Sequence, residues 1–252
     1  MMRQQKVVHK KRICAVAAAI LAAILLCVIG CAVYVGDYYH ATDAAVQAMA
    51  PDDHITVSEA EDGALLFLHD DPQAGLIFYP GGKVEHTAYA PLMRACAQRG
   101  ILCVLLKMPW NLAVLDVDAA DGVAEQYPDI DVWYLGGHSL GGAMAANYAA
   151  SHSDAFDGLI LLAAYPTKDL SGTDLAVLSV YGSEDRVLNA EKYAASRNDL
   201  PADAVEVVIE GGCHAGFGAY GPQKGDGTPS ISGEEQMART AKEIWNMVQS
   251  RG

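Results

Sequence analysis

The segment Gly137-His138-Ser139-Leu140-Gly141 is a G-x-S-x-G sequence, and its context gives it chemical meaning. It follows an apolar run at 132–135 that is typical of a buried strand, and it precedes a small-residue segment at 141–150 that favours a helix. A serine in such a strand–turn–helix connection lies on a strained backbone, where glycine neighbours avoid clashes. The N-terminus of the following helix favours an oxyanion. The pattern therefore predicts that Ser139 is a nucleophile.

A carboxylate and an imidazole follow Ser139 in the order acid, then histidine. Asp185 comes a few residues after a predicted strand. Glu184 and Asp203 are alternatives, but we expect Glu184 to point the other way in its turn and Asp203 to lie at the wrong end of the sheet. His214 is the only one of the eight histidines that comes after this acid. We expect His214 to act as general base and then general acid, oriented by Asp185.

The loop Tyr79-Pro80-Gly81-Gly82-Lys83 ends another predicted strand. Its glycines would let the backbone approach a reacting carbonyl group closely. We expect the amides of Gly82 and Leu140 to bind the oxyanion, with the Lys83 amide as an alternative to that of Gly82. An ordinary strand-to-helix turn would contain the same residue types. Three of the six cysteines lie in an apolar N-terminal segment and the others have no metal-ligand spacing, so we expect no metal site.

Short β-branched runs alternate with helical patterns from Ile55 onward. This alternation predicts an α/β fold with a mostly parallel, doubly wound sheet of about eight strands. Only residues 166–174 separate the sixth and seventh strands, so we expect no cap domain over the site. The predicted strands are 55–58, 64–68, 75–79, 101–106, 131–135, 158–163, 176–181 and 204–209. The predicted helices are 89–99, 116–126, 139–150, 190–197 and 234–249.

Residues from about 55 to 250 resemble the α/β-hydrolase superfamily, in particular a small lidless bacterial branch similar to dienelactone hydrolases. The resemblance is carried by Tyr79–Gly82 followed by Ala88–Leu92, and by Lys107-Met108-Pro109. It implies a serine-dependent acyl hydrolase that needs no cofactor. The chain differs from that branch in having Pro80 in place of a histidine and Ser139 in place of the nucleophilic cysteine. Dienelactone is therefore not the expected substrate.

A stretch of 24 residues, 13–36, carries no charged side chain and is long enough to cross a bilayer as a helix. Because basic flanks remain cytoplasmic, we predict a basic cytoplasmic flank at 1–12, a transmembrane anchor at 13–35, a juxtamembrane linker at 36–54 and an extracytoplasmic α/β-hydrolase domain at 55–252. The basic residues are Arg3, Lys6, Lys10, Lys11 and Arg12.

The same stretch contains Val28-Ile29-Gly30-Cys31, which resembles a bacterial lipobox. A lipoprotein anchored at Cys31 is therefore the alternative to an uncleaved helix. The chain stays apolar for several residues after Cys31, which favours the uncleaved helix. In both cases the domain would be tethered to the membrane.

The net charge and one long loop bear on the partners. Five basic residues precede the apolar stretch, so a chain with a net charge of −14 carries −19 in the remainder. This balance argues against nucleic-acid binding. The resemblance implies a small acyl substrate. An acyltransferase, a peptidase and a non-catalytic binding domain are the alternatives.

The polar loop 217–232, which contains Gly225-Asp226-Gly227, is expected to be solvated, although it could also line the site or bind a cation.

Overall fold

The computed structural model describes residues 19–250 with their side chains and residues 2–18 and 251 by their backbone. The chain divides into two compact units at Tyr38 and Tyr39, and each is described by itself. The first contains the helix α1, Met2–Gly36. Its segment Ala19–Gly36 has a mean hydropathy of 2.6 with no residue buried, which fits either a membrane span or a signal sequence. The predicted basic flank and the first residues of the predicted anchor lie outside the residues with described side chains.

The second unit is built on one eight-stranded sheet, as the sequence predicted. The strand order is β1-β2-β4-β3-β5-β6-β7-β8. The pairs β1–β2 and β2–β4 are antiparallel and all the others are parallel. The strands are β1 Ile55–Glu59, β2 Leu65–His69, β3 Ala74–Tyr79, β4 Ile101–Leu105, β5 Trp133–His138, β6 Gly158–Leu162, β7 Ala176–Gly182 and β8 Val205–Ile209.

Helices cover both faces of this sheet. The remaining helices are α2 Asp43–Ala48, α3 Ala90–Ala97, α4 Leu140–Ala149, α5 Ala190–Ser196 and α6 Gly233–Arg251. One apolar core contains side chains of α3 and α6, and the other contains side chains of α4. The central strands β3, β4, β5 and β6 are buried at every position, as expected for parallel strands that are covered on both faces. The loops that follow the carboxyl ends of these strands are therefore attached to a buried, closely packed sheet.

One predicted helix differs from the structure. The helix predicted at 116–126 is wrong, because the structure has only the 3₁₀ turn Ala124–Gln126 within that segment. Gly122 adopts a φ of 68°, and the aspartates of this stretch favour turns over helix interiors. Within the predicted linker 36–54, the residues from Tyr39 onward belong to the same compact unit as the sheet and contain α2. The Arg94 side chain donates from Nε to the carbonyl oxygen of Ala48 at 2.8 Å, which ties α2 to α3.

Candidate active site

Strained backbone is concentrated just after the carboxyl ends of the central strands. In the part of the chain that the structure describes, the non-glycine residues with positive φ are Lys83, Trp110, Asn111, Ser139 and Ala163. They follow β3, β4, β5 and β6, so all of them come after the carboxyl ends of adjacent parallel strands. Strained residues cluster at functional sites, and open parallel sheets bind ligands at this edge. The carboxyl ends of these strands are therefore the expected position of an active site.

Ser139 lies between β5 and α4 with a φ of 53° and a ψ of −121°. Its amide donates to the carbonyl oxygen of Leu162 at 2.9 Å, which fixes the turn to the neighbouring strand. Gly141 is needed here because a Cβ at this position would lie 2.3 Å from the carbonyl oxygens of Pro80 and Tyr79. The G-x-S-x-G sequence thus forms the sharp strand–turn–helix connection that it predicted. Ser139 is partly exposed.

Asp185 and His214 are brought together from two different loops. Asp185 Oδ2 lies 2.8 Å from His214 Nδ1, and each side chain is only 2% exposed. Asp185 Oδ1 accepts the amides of Val187 and Leu188, both at 2.8 Å, so the carboxylate is held by its own turn. This contact fixes the orientation of the imidazole, as an acid–histidine pair requires.

The alternative acids occupy other places. Glu184 is partly exposed and lies 3.8 Å from Arg186 in an ion pair. Asp203 precedes β8 and therefore lies at the amino end of the sheet, opposite the edge with Ser139. Of the three carboxylates considered, the structure places only Asp185 against His214.

His214 Nε2 is buried and has no hydrogen-bond partner among the described residues. Buried polar atoms nearly always have a partner, so this nitrogen stands out. The contact between the Ser139 hydroxyl and Nε2, which a triad requires, is not formed in this structure. Such contacts are often long in the absence of substrate and shorten in the substrate complex.

The glycine loop after β3 has one amide left for a ligand. The Gly81 amide donates to the Tyr89 hydroxyl at 3.1 Å, and the Lys83 amide donates to the carbonyl oxygen of Asn111 at 2.7 Å. Within the described residues the Gly82 amide donates no hydrogen bond. A Cβ at Gly82 would lie 2.8 Å from Leu140 Cδ2, so Gly82 and Leu140 are neighbours. The geometry favours Gly82 over Lys83 as the amide donor of this loop.

His138 and Tyr89 form a buried network that the sequence analysis did not find. Tyr89 Oη lies 2.8 Å from His138 Nδ1, and the centroids of the His138 and His214 rings are 4.6 Å apart. Because Tyr89 Oη already accepts the Gly81 amide, its own proton is directed to Nδ1, which places the proton of the neutral His138 ring on Nε2. Burial, and then the neighbouring His214 ring, hold the pKa of His138 well below its ordinary value. The lowered pKa favours the neutral form of the His138 ring.

The sequence carried a weak signal for only one member of this network. His138 lies inside the G-x-S-x-G segment, but the motif specifies no residue type at that position. Tyr89 lies 49 positions before His138 in the chain, and no spacing rule joins Tyr89 to Ser139. Only the sheet order, which places β3 beside β5, brings the two side chains together.

A cavity of about 880 Å³ lies next to this constellation, and Cys213, Ala215 and Asp226 are among the residues that line it. It lies between α2, α3, α6 and the loop after His214, and neither Ser139 nor Gly82 lines it. The described residues contain no group of three or more His, Cys, Asp or Glu side chains that could hold a metal ion.

The comparisons with known proteins agree with this architecture. The sequence profile described as "Alpha/beta hydrolase family" matches residues 75–238. No curated protein matches the chain. Many solved structures share the fold. A protein described as a predicted CIB-like hydrolase from Thermoplasma acidophilum has 16% identity and a TM-score of 0.53, and the match covers 76% of this chain and 99% of that one.

Two further structures have the same level of similarity. Est1E from Butyrivibrio proteoclasticus has 14% identity and a TM-score of 0.55, with 78% of this chain and 100% of that chain covered. TT1662 from Thermus thermophilus has 14% identity and a TM-score of 0.57, with 78% and 97% covered. At these identities the likeness is one of fold.

Proposed function

Because this chain belongs to the α/β-hydrolase family, we propose that it is a serine hydrolase that cleaves carboxylic ester or related acyl bonds. The observation that carries the proposal is the pairing of Asp185 with His214 at 2.8 Å, on the sheet edge where Ser139 occupies its strained turn. Fold alone does not specify chemistry, so the proposal depends on these residues.

The proposed reaction begins with attack of Ser139 Oγ on the acyl carbon while His214 Nε2 accepts the hydroxyl proton. The carbonyl oxygen becomes an oxyanion that the amides of Gly82 and Leu140 bind. Nε2 then protonates the leaving alcohol as the carbon–oxygen bond breaks, which leaves an acyl-enzyme. Water then attacks the acyl carbon while His214 Nε2 accepts a proton from it. The bond between the acyl carbon and Ser139 Oγ breaks as Nε2 returns the proton to Oγ, and the carboxylic acid is released.

The surface beside the site supports an apolar substrate group. Trp110 is 66% exposed, and Val114 and Leu115 are more than half exposed. The segment that carries them is joined to the glycine loop by the hydrogen bond between the Lys83 amide and the Asn111 carbonyl oxygen. In the proposal these side chains contact an alkyl or aryl part of the ester. The short connection between β6 and β7 leaves the site open.

The test of the reaction is active-site labelling. A fluorophosphonate probe should label the wild-type protein and not Ser139→Ala. Ser151→Ala, which removes an exposed serine hydroxyl at the end of α4, is the matched control and should be labelled like the wild type. Ester turnover should fall by about three orders of magnitude or more in Ser139→Ala. Equal labelling of the wild type and Ser139→Ala would refute the assignment.

A panel of substrates then separates the possible acyl chemistries. Aryl esters of increasing chain length, tested beside aminopeptidase substrates, should be hydrolysed in preference to amides. Labelling at Ser139 without turnover of any member of the panel would favour a transferase or a binding domain.

We also propose that α1 is an uncleaved membrane anchor with the catalytic domain outside the cytoplasm. The apolar segment Ala19–Gly36 supports the anchor, and the five basic residues in the flank at 1–12 support the orientation.

A further inference from the structure

Asp226 lies in the loop between His214 and α6, the loop that the sequence analysis expected to be solvated. Its carboxylate accepts four backbone amides. Oδ1 accepts those of Arg186 at 3.3 Å, His214 at 3.2 Å and Gly227 at 2.8 Å, and Oδ2 accepts that of Ala215 at 2.8 Å. One side chain therefore binds the turn of Asp185, the turn of His214 and its own loop.

The bonded amides are placed where they can set the geometry of the Asp185–His214 pair. The amide of Arg186 belongs to the peptide unit that follows the Cα atom of Asp185. The amide of His214 belongs to the peptide unit that precedes its own Cα atom. Because Asp226 Oδ1 binds both, it fixes the distance and orientation between the two backbones that present the pair.

A second observation places the same loop against the acid turn. A Cβ at Gly227 would lie 1.8 Å from the carbonyl oxygen of Glu184, so the two backbones are in direct contact. The amide of Lys224, two residues before Asp226, donates to the Tyr39 hydroxyl at 3.0 Å, which fixes the same part of the loop from another direction. The loop around Asp226 is thus packed onto the site.

The charge state of Asp226 fits this role. Burial raises its pKa, but the amides of Ala215, Gly227, His214 and Arg186 together outweigh burial and lower the pKa below 3.8. Asp226 is therefore an anion over the whole neutral range. An anion has acceptor sites for all four amides, whereas the asparagine side chain has one acceptor oxygen and an amide group that cannot accept.

We propose that Asp226 is a positioning residue, which holds the turns of Asp185 and His214 at the separation that their hydrogen bond requires. The inference rests on the proposed serine hydrolase function. Asp226 acts through the backbone and does not touch the reacting atoms, so its loss should reduce turnover more than substrate binding.

The test compares Asp226→Asn with Asp52→Asn in the full-length chain in detergent. Asp52 is a matched control, because its Oδ1 also accepts two backbone amides, at 3.0 and 2.8 Å. Asp52 precedes β1, and β1 and β8 are the outermost strands on opposite sides of the sheet. At a temperature where all proteins are folded, kcat for an aryl ester should fall about 100-fold in Asp226→Asn with KM changed less than about threefold. Asp52→Asn should keep wild-type kinetics.

A spectroscopic readout separates positioning from stability. The His214 Nδ1 proton that bonds to Asp185 should give a downfield NMR signal in the wild type and in Asp52→Asn. It should shift or disappear in Asp226→Asn, and Asp226→Glu, which keeps the charge, should recover part of both the signal and kcat. This readout does not need the Ser139 hydroxyl, so it tests Asp226 even where fluorophosphonate labelling fails. Wild-type kcat and an unchanged signal in Asp226→Asn, or equal losses in Asp52→Asn, would overturn the proposal.

Discussion

Tyr89 connects the glycine loop to the histidine beside the nucleophile. Its hydroxyl accepts the Gly81 amide and donates to His138 Nδ1, and Tyr89 is fully buried. The next amide in the loop is that of Gly82, which is free to bind an oxyanion. The hydroxyl of Tyr89 therefore controls where that amide lies. Burial raises the pKa of Tyr89, so the group keeps its proton at any working pH.

Removal of this hydroxyl gives a prediction at the residue scale. Tyr89→Phe leaves the Gly81 amide and His138 Nδ1 buried without partners, which should lower the free energy of unfolding by about 1–3 kcal/mol in urea titrations. Turnover should fall by about tenfold or more, because the Gly82 amide loses its support. Tyr193→Phe is the control: it removes a buried hydroxyl that bonds to Ser179 and should cost stability with little change in turnover. Equal turnover in the two variants would contradict the role of Tyr89.

The sequence identified some residues of the site and missed others for a physical reason. Ser139, Asp185 and His214 follow the chain order that the α/β-hydrolase fold imposes on such residues, so one sequence suffices to propose them. Tyr89 and Asp226 act through hydrogen bonds to the backbone of distant segments. Those bonds depend on tertiary contacts, and no residue pattern along the chain records them.

The elements of the fold were predictable where burial dictates the pattern. The central strands are apolar at nearly every position because both faces are covered, and all eight strands were found within a few residues of their ends. The segment 109–126 was not predictable in the same way. It consists of short 3₁₀ turns held by local hydrogen bonds, such as the one from the Leu115 amide to the Leu112 carbonyl oxygen. Its apolar residues mimic a helical period without forming an α-helix.

The turn between β5 and α4 gives a prediction at the scale of the element. In Gly141→Ala the new methyl group would lie 2.3 Å from two backbone carbonyl oxygens, so either the helix or the glycine loop must move. The free energy of unfolding should fall by about 3 kcal/mol or more, and turnover should be lost. Gly172→Ala is the control, since no atom lies within 4 Å of its added Cβ, and it should stay within about 0.5 kcal/mol of the wild type. A Gly141→Ala protein with wild-type stability would show that this close approach does not constrain the turn.

At the scale of the whole molecule, charge and hydropathy divide the chain into two parts with different requirements. The helix α1 presents apolar side chains over Ala19–Gly36 with none buried, which costs free energy in water and none in lipid. The remainder of the chain carries the acidic charge and contains the two apolar cores.

The orientation of the domain is tested by treating intact cells with protease. The basic flank at 1–12, which precedes the apolar segment, should remain in the cytoplasm, so the domain should be digested from outside while a cytoplasmic marker survives. Cys31→Ala should remain in the membrane fraction, because an uncleaved helix does not need the cysteine. A domain that is protected in intact cells and digested only after lysis would reverse the orientation. Release of Cys31→Ala from the membrane, together with fatty-acid labelling of Cys31 in the wild type, would replace the helix with a lipid anchor.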